Sequence, residues 1–179
     1  MTVLSNVDIE ENISIGVLKI QGMTKDTIRE AGLDLTISDT YSREVDFTDS
    51  IPDIIDLHEQ PKERFEKFTH KEIIINPKEF ILLSTREIIE LPNDIIGLCN
   101  IRSTIARSGI IAPPTITDPG FIGALTIEIF NASKRPILLH EGDRFLHLVL
   151  MYTKTACSKP YSGIYQNQKI VTPPKKSIL

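Results

Sequence analysis

The chain has 179 residues, with 24 acidic and 20 basic side chains and a formal net charge of −4. Its hydrophobic fraction of 41% argues against intrinsic disorder, and its length suits one domain spanning residues 1–179. A mildly acidic chain argues against a nucleic-acid partner. No apolar run reaches the roughly 20 residues of a membrane helix, and no signal peptide is visible, so we expect a cytoplasmic protein with no membrane partner.

The composition favours strands, because isoleucine occurs 29 times and alanine only 6 times, and β-branched side chains suit a pleated sheet. One short helix is predicted at the N-terminus, where Ser5 and Asp8 have the spacing of a capping pair and Gly16 ends the pattern. Alternation and turn residues then predict eight short strands, at residues 17–20, 33–37, 72–75, 79–83, 97–101, 124–130, 136–140 and 144–152. Such spacing is typical of a β-sandwich or barrel.

Two segments lack this pattern. Residues 40–70 are rich in charged side chains and threonine, and we predict an irregular excursion with a short helix near residues 62–68. The end of the chain, residues 172–179, contains two prolines and is predicted to be a flexible tail.

Several catalytic motifs are missing from the sequence. A zinc deaminase needs His-x-Glu and Pro-Cys-x-x-Cys motifs, and the four histidines and two cysteines fit neither. There is no phosphate-binding loop, dinucleotide fingerprint or Gly-x-Ser-x-Gly elbow. We therefore predict no zinc and no metal held by protein side chains alone.

The segment from Arg102 to Arg107 is unusual for its charge. Two arginines five residues apart flank the hydroxyls of Ser103 and Thr104, directly after an apolar strand. A guanidinium offers a donor fork that suits phosphate or carboxylate. The pattern fits an anion-binding segment, and it also fits a solvated surface turn.

A second unusual segment places Glu128 on a strand. Thr126 and Phe130 share the face of Glu128, while Ile127 and Ile129 share the opposite face. A carboxylate on a partly apolar face needs a partner or a role, because burying an unpaired charge is costly. Glu128 is either a general base near a cationic pocket or an exposed side chain on a half-solvated sheet.

Together these segments resemble the core signature of the dCTP deaminases, which belong to the dUTPase-like superfamily. The signature is carried by Arg102, Ser103, Thr104, Ile105, Ala106, Arg107, Asp118, Pro119, Gly120, Phe121, Thr126, Ile127 and Glu128. Further matches are Leu4, Ser5, Asp8 and Ile9, residues 31–35, residues 90–92, residues 142–148, Pro160, Tyr161 and residues 165–168. The resemblance spans residues 4–170, with residues 40–70 poorly matched, and the Pro113 and Pro114 pair is similar to the archaeal branch.

The resemblance implies a mainly β fold, a distorted jelly roll (β-clip) with a short N-terminal helix. It also implies a homotrimer with active sites between subunits. The implied reaction is zinc-independent hydrolysis of dCTP to dUTP and ammonia in pyrimidine deoxynucleotide metabolism. Mg²⁺ is expected to arrive on the substrate triphosphate.

Roles carry over from the family by position. Glu128 matches the general base that activates water, and Ser103 and Arg107 match the groups that orient the water and stabilise charge. The other matched substrate-binding positions are Arg102, Thr104, Ile105, Ala106, Asp118 (beside the deoxyribose), Thr126 and Ile127 (backbone contacts to the base), and Tyr161 and Gln168 (closing over the substrate).

One departure leaves alternatives open. Ile164 stands where the family commonly has a phosphate-binding lysine, and Lys169 is a nearby candidate to compensate. A dUTP diphosphatase, a bifunctional deaminase and diphosphatase, and a non-enzymatic nucleotide-binding trimer share the fold. Glu128 argues for a deaminase, because simple dUTPases lack a glutamate there, and Asp118 keeps the bifunctional alternative open.

Overall fold

The computed structural model describes residues 2–45, 56, 58 and 64–175. The described chain is mainly β, as predicted, with two short helices, α1 (Asn6–Ser14) and α2 (Ser103–Arg107). The strands are β1 (Thr2–Val3), β2 (Lys19–Gln21), β3 (Ile28–Arg29), β4 (Gly32–Glu44), β5 (Phe65–Thr69), β6 (Glu72–Ile75), β7 (Phe80–Thr85), β8 (Ile88–Glu90), β9 (Ile95–Ile101), β10 (Ile110–Ile111), β11 (Thr115–Thr117), β12 (Ile122–Gly123), β13 (Thr126–Asn131), β14 (Ile137–His140) and β15 (Arg144–Tyr152).

The largest sheet follows the order β10-β13-β7-β4-β15-β9-β11, and all of its pairings are antiparallel. The 13-residue strand β4 joins its two halves, because its first part pairs with β15 and its last part pairs with β7. The β4–β7 register shifts between Ile37 and Tyr41, where β4 passes from one half to the other. Smaller sheets, β12-β8-β2 and β14-β6, complete the fold.

The core explains the excess of isoleucine. On β13 the side chains of Ile127 and Ile129 are buried, while those of Thr126 and Glu128 on the opposite face are half-buried. The same alternation holds on β9, where Ile95 and Cys99 point inward. Strand period 2 therefore places Glu128 on the outer face of a strand whose inner face is held in the core.

The predicted N-terminal helix is confirmed. The Ser5 hydroxyl accepts a hydrogen bond from the Asp8 amide at 3.3 Å, and the Asp8 carboxylate accepts one from the Ser5 amide at 2.8 Å. This reciprocal pair satisfies two amides at the helix start. Asn12 then ties the helix to β15, because its side-chain amide donates to the Tyr152 hydroxyl at 2.7 Å.

The prediction for residues 40–70 was partly wrong. Strand β4 continues to Glu44, and β5 pairs with it from Thr40↔Thr69 to Glu44↔Phe65. The spacing of Phe65 and Phe68 resembles a helix, but in the strand Phe68 stacks on Tyr41 and Phe65 packs edge-on against Phe80. A partner strand distant in sequence decides the conformation here. The start of the predicted helix, residues 62 and 63, and the rest of the excursion lie outside the described residues.

The predicted tail is described as far as Lys175, and residues 176–179 lie outside the described part. Within the described residues, no helix combines the length and the apolar character needed to cross a bilayer.

Candidate active site

A cavity of about 380 Å³ opens between β13, β11 and the C-terminal segment. Strands β7 and β13 supply Leu82 and residues 126–128, and β11 supplies residues 115–117. The C-terminal segment covers it with Tyr161, Tyr165, Gln168, Thr172 and Pro174. Six of the predicted site residues line this cavity: Asp118, Thr126, Ile127, Glu128, Tyr161 and Gln168.

Glu128 presents a partly buried carboxylate to the cavity. Its Cα pairs with that of Leu82 on β7, so the sheet fixes the backbone from which the side chain projects. Its Oε2 atom is buried and has no hydrogen-bond partner among the described residues. Because an unpaired buried carboxylate oxygen is costly, this oxygen is suited to accept a hydrogen bond from a molecule bound in the cavity.

Cys99 lies behind the cavity wall, close enough to Glu128 to be affected by its charge. Its thiol lies 3.4 Å from the hydroxyl of Thr117, a cavity-lining residue. Burial raises the pKa of the Cys99 thiol, and the negative charge of Glu128 raises it further. A raised pKa favours the neutral thiol, so Cys99 packs as an uncharged side chain behind Thr117.

The C-terminal segment is fastened onto the edge of the site. The side-chain amide of Gln168 donates to the Ala124 carbonyl at 2.6 Å, while its Oε1 is buried without a partner in the described structure. The amide of Thr172 donates to the Thr126 hydroxyl at 3.1 Å, and Tyr161 packs on Phe121 with ring centroids 5.7 Å apart. Gln168 therefore offers the cavity a second acceptor besides the carboxylate of Glu128.

The arginine segment lies elsewhere in the same chain. None of the residues 102–107 lines the cavity, and Ser103, Thr104, Ala106 and Arg107 are exposed on α2. Arg102 and Ile105 instead line a second cavity with β14 and Arg144. One chain thus brings Glu128, Asp118 and Gln168 together, but it does not bring Ser103 or Arg107 to them.

Sequence reasoning missed Arg64 and Phe65, which also line the main cavity. The Arg64 guanidinium lies 5.1 Å from the Phe65 ring centroid and forms an ion pair with Glu44. Both residues come from the stretch without motif matches, so no signal in the sequence could have found them. Lys169 does not line the cavity, whereas the Lys175 ammonium donates to the Ile164 carbonyl at 3.0 Å and lies over the Tyr165 ring.

The described residues contain no group of three histidine, cysteine or carboxylate side chains that could hold a metal ion.

Comparison with solved structures identifies the fold. The crystal structure of 2′-deoxycytidine 5′-triphosphate deaminase from Agrobacterium tumefaciens matches 83% of this chain and 46% of its own, with a TM-score of 0.65 at 17% identity. A mutant dUTPase from phage phi11 of S. aureus matches 82% of this chain and 97% of its own, with a TM-score of 0.51 at 16% identity. The fold is therefore that of the dUTPase-like proteins.

Comparison of sequences identifies the family. The family model described as dCTP deaminase-like matches residues 3–153, and the chain belongs to that family. A dCTP deaminase of Pyrobaculum arsenaticum is 43% identical over 173 residues, covering 97% of this chain and 96% of the relative. A probable deoxyuridine 5′-triphosphate nucleotidohydrolase of Sulfolobus islandicus rod-shaped virus 1 is 45% identical over 170 residues, covering 95% and 96%. The resemblance stated from the motifs is confirmed.

Proposed function

We propose that this protein hydrolyses dCTP to dUTP and ammonia, with Glu128 as the general base. The proposal is carried by one observation: the Oε2 atom of Glu128 is buried and has no hydrogen-bond partner among the described residues. This oxygen lies at a cavity that is also lined by Asp118, Phe121 and Thr126, which belong to the dCTP deaminase-like signature. Glu128 takes a proton from water and passes it to N3 of cytosine as the water oxygen bonds to C4. The second water proton then moves from the new C4 hydroxyl through Glu128 to the amine, so that the C4–N bond breaks, the C4 carbonyl forms and ammonia leaves.

The other cavity residues have roles consistent with this reaction. Asp118 follows β11 at the cavity rim, where its exposed carboxylate can accept a hydrogen bond from the deoxyribose hydroxyl. The backbone of Thr126 and Ile127 faces the base, and Tyr161 and Gln168 close over it. Mg²⁺ belongs to the substrate in this proposal, because it arrives bound to the triphosphate.

Ser103 and Arg107 are proposed to act on the cavity of a neighbouring copy in a homotrimer. Their exposure on α2, away from the cavity of their own chain, supports this arrangement. So does an apolar outer surface beside the cavity, where the paired residues Ile116 and Leu98 are 61% and 38% exposed. Such a surface is typical of an interface between copies.

Replacement of Glu128 by Gln tests the base. Glu128→Gln preserves shape and removes proton acceptance, so we expect kcat for dCTP deamination to fall by about 10²- to 10⁴-fold, the usual contribution of a general base. Glu90→Gln is the matched control, because Glu90 forms an exposed ion pair with Lys19 on β2. Retention of the wild-type rate by Glu128→Gln would exclude the mechanism.

A mixing experiment tests the shared site. Glu128→Gln and Arg107→Ala are each expected to be inactive, but refolding them together gives mixed trimers in which some sites hold both natural residues. Recovered dUTP release supports a site built from two chains. No recovery, with mixed oligomers demonstrated by mass spectrometry, contradicts it.

A dUTP diphosphatase activity is the second candidate. It is favoured by Asp118 in the cavity, a carboxylate that could hold a water for attack on phosphorus. Incubation with dUTP and Mg²⁺, followed by chromatography, separates the cases: dUMP and pyrophosphate from dUTP indicate this activity, and dUMP from dCTP indicates both steps.

A further inference from the structure

Asp34 is a buried carboxylate that the proposed reaction does not use. It lies on β4, its side chain is 4% exposed, and it contacts three basic side chains from two other parts of the chain. Its Oδ2 lies 2.9 Å from Arg102 Nε and 3.5 Å from Arg144 Nη1, and its Oδ1 lies 2.9 Å from His147 Nδ1. A buried carboxylate with three charged or polar partners is held in one orientation.

The contacts of Arg102 connect Asp34 to the start of α2. Arg102 is the residue immediately before the helix, and its amide donates to the Phe145 carbonyl at 2.8 Å. Its side chain does not cap the helix; Nε is bound to Asp34, and Nη1 donates to the Arg144 carbonyl at 3.2 Å. Two of the three guanidinium nitrogens are thus held by protein oxygens, which fixes the plane of the guanidinium and leaves Nη2 outside these contacts.

The cluster places two guanidinium groups on one cavity wall beside α2. Arg102 and Arg144 both line this cavity and share the carboxylate of Asp34, and each keeps its charge at neutral pH. Asp143 also lines the cavity, but its carboxylate accepts from the His140 amide at 2.8 Å and forms no ion pair with either arginine among the described contacts. Asp34 is therefore the carboxylate that sets the orientation of Arg102 at the start of the nucleotide segment.

We propose that Asp34 is a positioning residue that acts through Arg102, holding its guanidinium in the orientation that receives the anionic part of the nucleotide. The proposal rests on the proposed function in one respect, that the 102–107 segment binds nucleotide. Because the Arg102 backbone is tied separately to Phe145, loss of Asp34 leaves the guanidinium held only at Nη1, free to rotate about that single bond, while α2 keeps its place. The effect falls on nucleotide affinity more than on the chemical step.

The test is a double-mutant cycle on dCTP affinity. Kd for dCTP is measured by calorimetry in a Glu128→Gln background, so that turnover does not interfere, for Asp34→Asn, Arg102→Gln and both together. We expect Asp34→Asn to weaken binding by about tenfold, the loss of one charge-assisted contact. In the presence of Arg102→Gln the same change should alter Kd by less than about twofold, because the group that Asp34 positions is gone.

A steady-state experiment separates positioning from a general loss of structure. With Glu128 intact, Asp34→Asn should raise KM for dCTP about tenfold and change kcat by less than about threefold. Asp39→Asn is the matched control, since Asp39 lies on the same strand and its carboxylate accepts only from the neighbouring Ser38 hydroxyl among the described contacts. If Asp34→Asn does not fold, Arg102→Lys replaces it, because lysine keeps the charge but cannot span Asp34 and the Arg144 carbonyl together.

The outcomes are distinct. An unchanged Kd in folded Asp34→Asn, or an equal effect of Asp34→Asn with and without Arg102, overturns the positioning role. If the wild-type protein does not deaminate dCTP and the Glu128→Gln variant does not bind dCTP, the proposed function is overturned instead.

Discussion

Gly123 allows the C-terminal segment to pack closely against the edge of the candidate site. It forms a parallel bridge with Gln168, and the amide of the next residue, Ala124, donates to the Gln168 carbonyl at 2.8 Å. Its φ of +151° lies in a region that is essentially restricted to glycine, and a Cβ added there would lie 2.8 Å from the Gln168 carbonyl oxygen. Gly123→Ala should therefore displace the segment from the cavity.

The size of the effect follows from these contacts. The Gln168 carbonyl must retreat by about 0.6 Å to reach an ordinary contact with the new Cβ, which stretches the bond from Ala124 to the limit of a hydrogen bond. The return bond from the Gln168 side chain to the Ala124 carbonyl weakens with it. At about 1 kcal/mol each, the loss of these two hydrogen bonds makes the packed arrangement of the C-terminal segment about 2 kcal/mol less stable relative to a detached one. This lowers the ratio of packed to detached molecules about thirtyfold.

Amide hydrogen exchange at Ala124 measures this shift directly, because that amide is protected by Gln168. We expect its protection to fall about thirtyfold in Gly123→Ala while amides in β9 and β15 keep theirs. Gly16→Ala is the control: Gly16 also has a positive φ, +74°, but an added Cβ there meets nothing within 4 Å. Wild-type protection at Ala124 in Gly123→Ala would refute the reasoning.

Two further predictions concern titration and reactivity. Hydrogen bonds from the Ser5 amide and then the Ser5 hydroxyl lower the pKa of Asp8 in the folded protein. The stability that ionised Asp8 contributes is therefore present above its unfolded pKa of about 3.9 and is lost as pH falls through its folded pKa. Asp8→Asn should flatten the decline of the urea midpoint below about pH 4, and an unchanged decline would contradict this. Because burial raises the pKa of Cys99, a disulfide reagent at neutral pH should titrate the half-buried Cys157 in the native protein and Cys99 only after unfolding; rapid reaction of two thiols in the native state would contradict it.

Strand alternation made the position of Glu128 predictable. A strict period of 2 from Thr126 to Phe130 has one interpretation in a sheet, and the buried Ile127 and Ile129 fix which face is the core. The N-terminal helix was predictable for a similar reason, since Ser5 and Asp8 complete a local capping pair. Both features depend on contacts between residues at most a few positions apart.

Features that depend on distant partners were not predictable. Phe65 and Phe68 have helical spacing, and only their pairing with β4, more than 20 residues away, makes them a strand. Arg64 reaches the cavity through the same pairing, so its place depends on a register that no local pattern encodes. The assignment of Asp34 as a partner of Arg102 and His147 likewise needs β4, β9 and β15 to be adjacent.

The arginine segment and Glu128 were expected to share a site between subunits, and within one chain they are separate: α2 is exposed and the cavity is lined from β13. The motifs alone do not say whether these residues meet within one chain. Their division between chains is an expectation from the family resemblance. In the proposed trimer, the Glu128 oxygen of one chain, which has no hydrogen-bond partner among the described residues, would meet the exposed Arg107 of another. A carboxylate from one copy and a guanidinium from the next would then complete one site, which would give the association of copies a chemical purpose beyond the burial of apolar side chains.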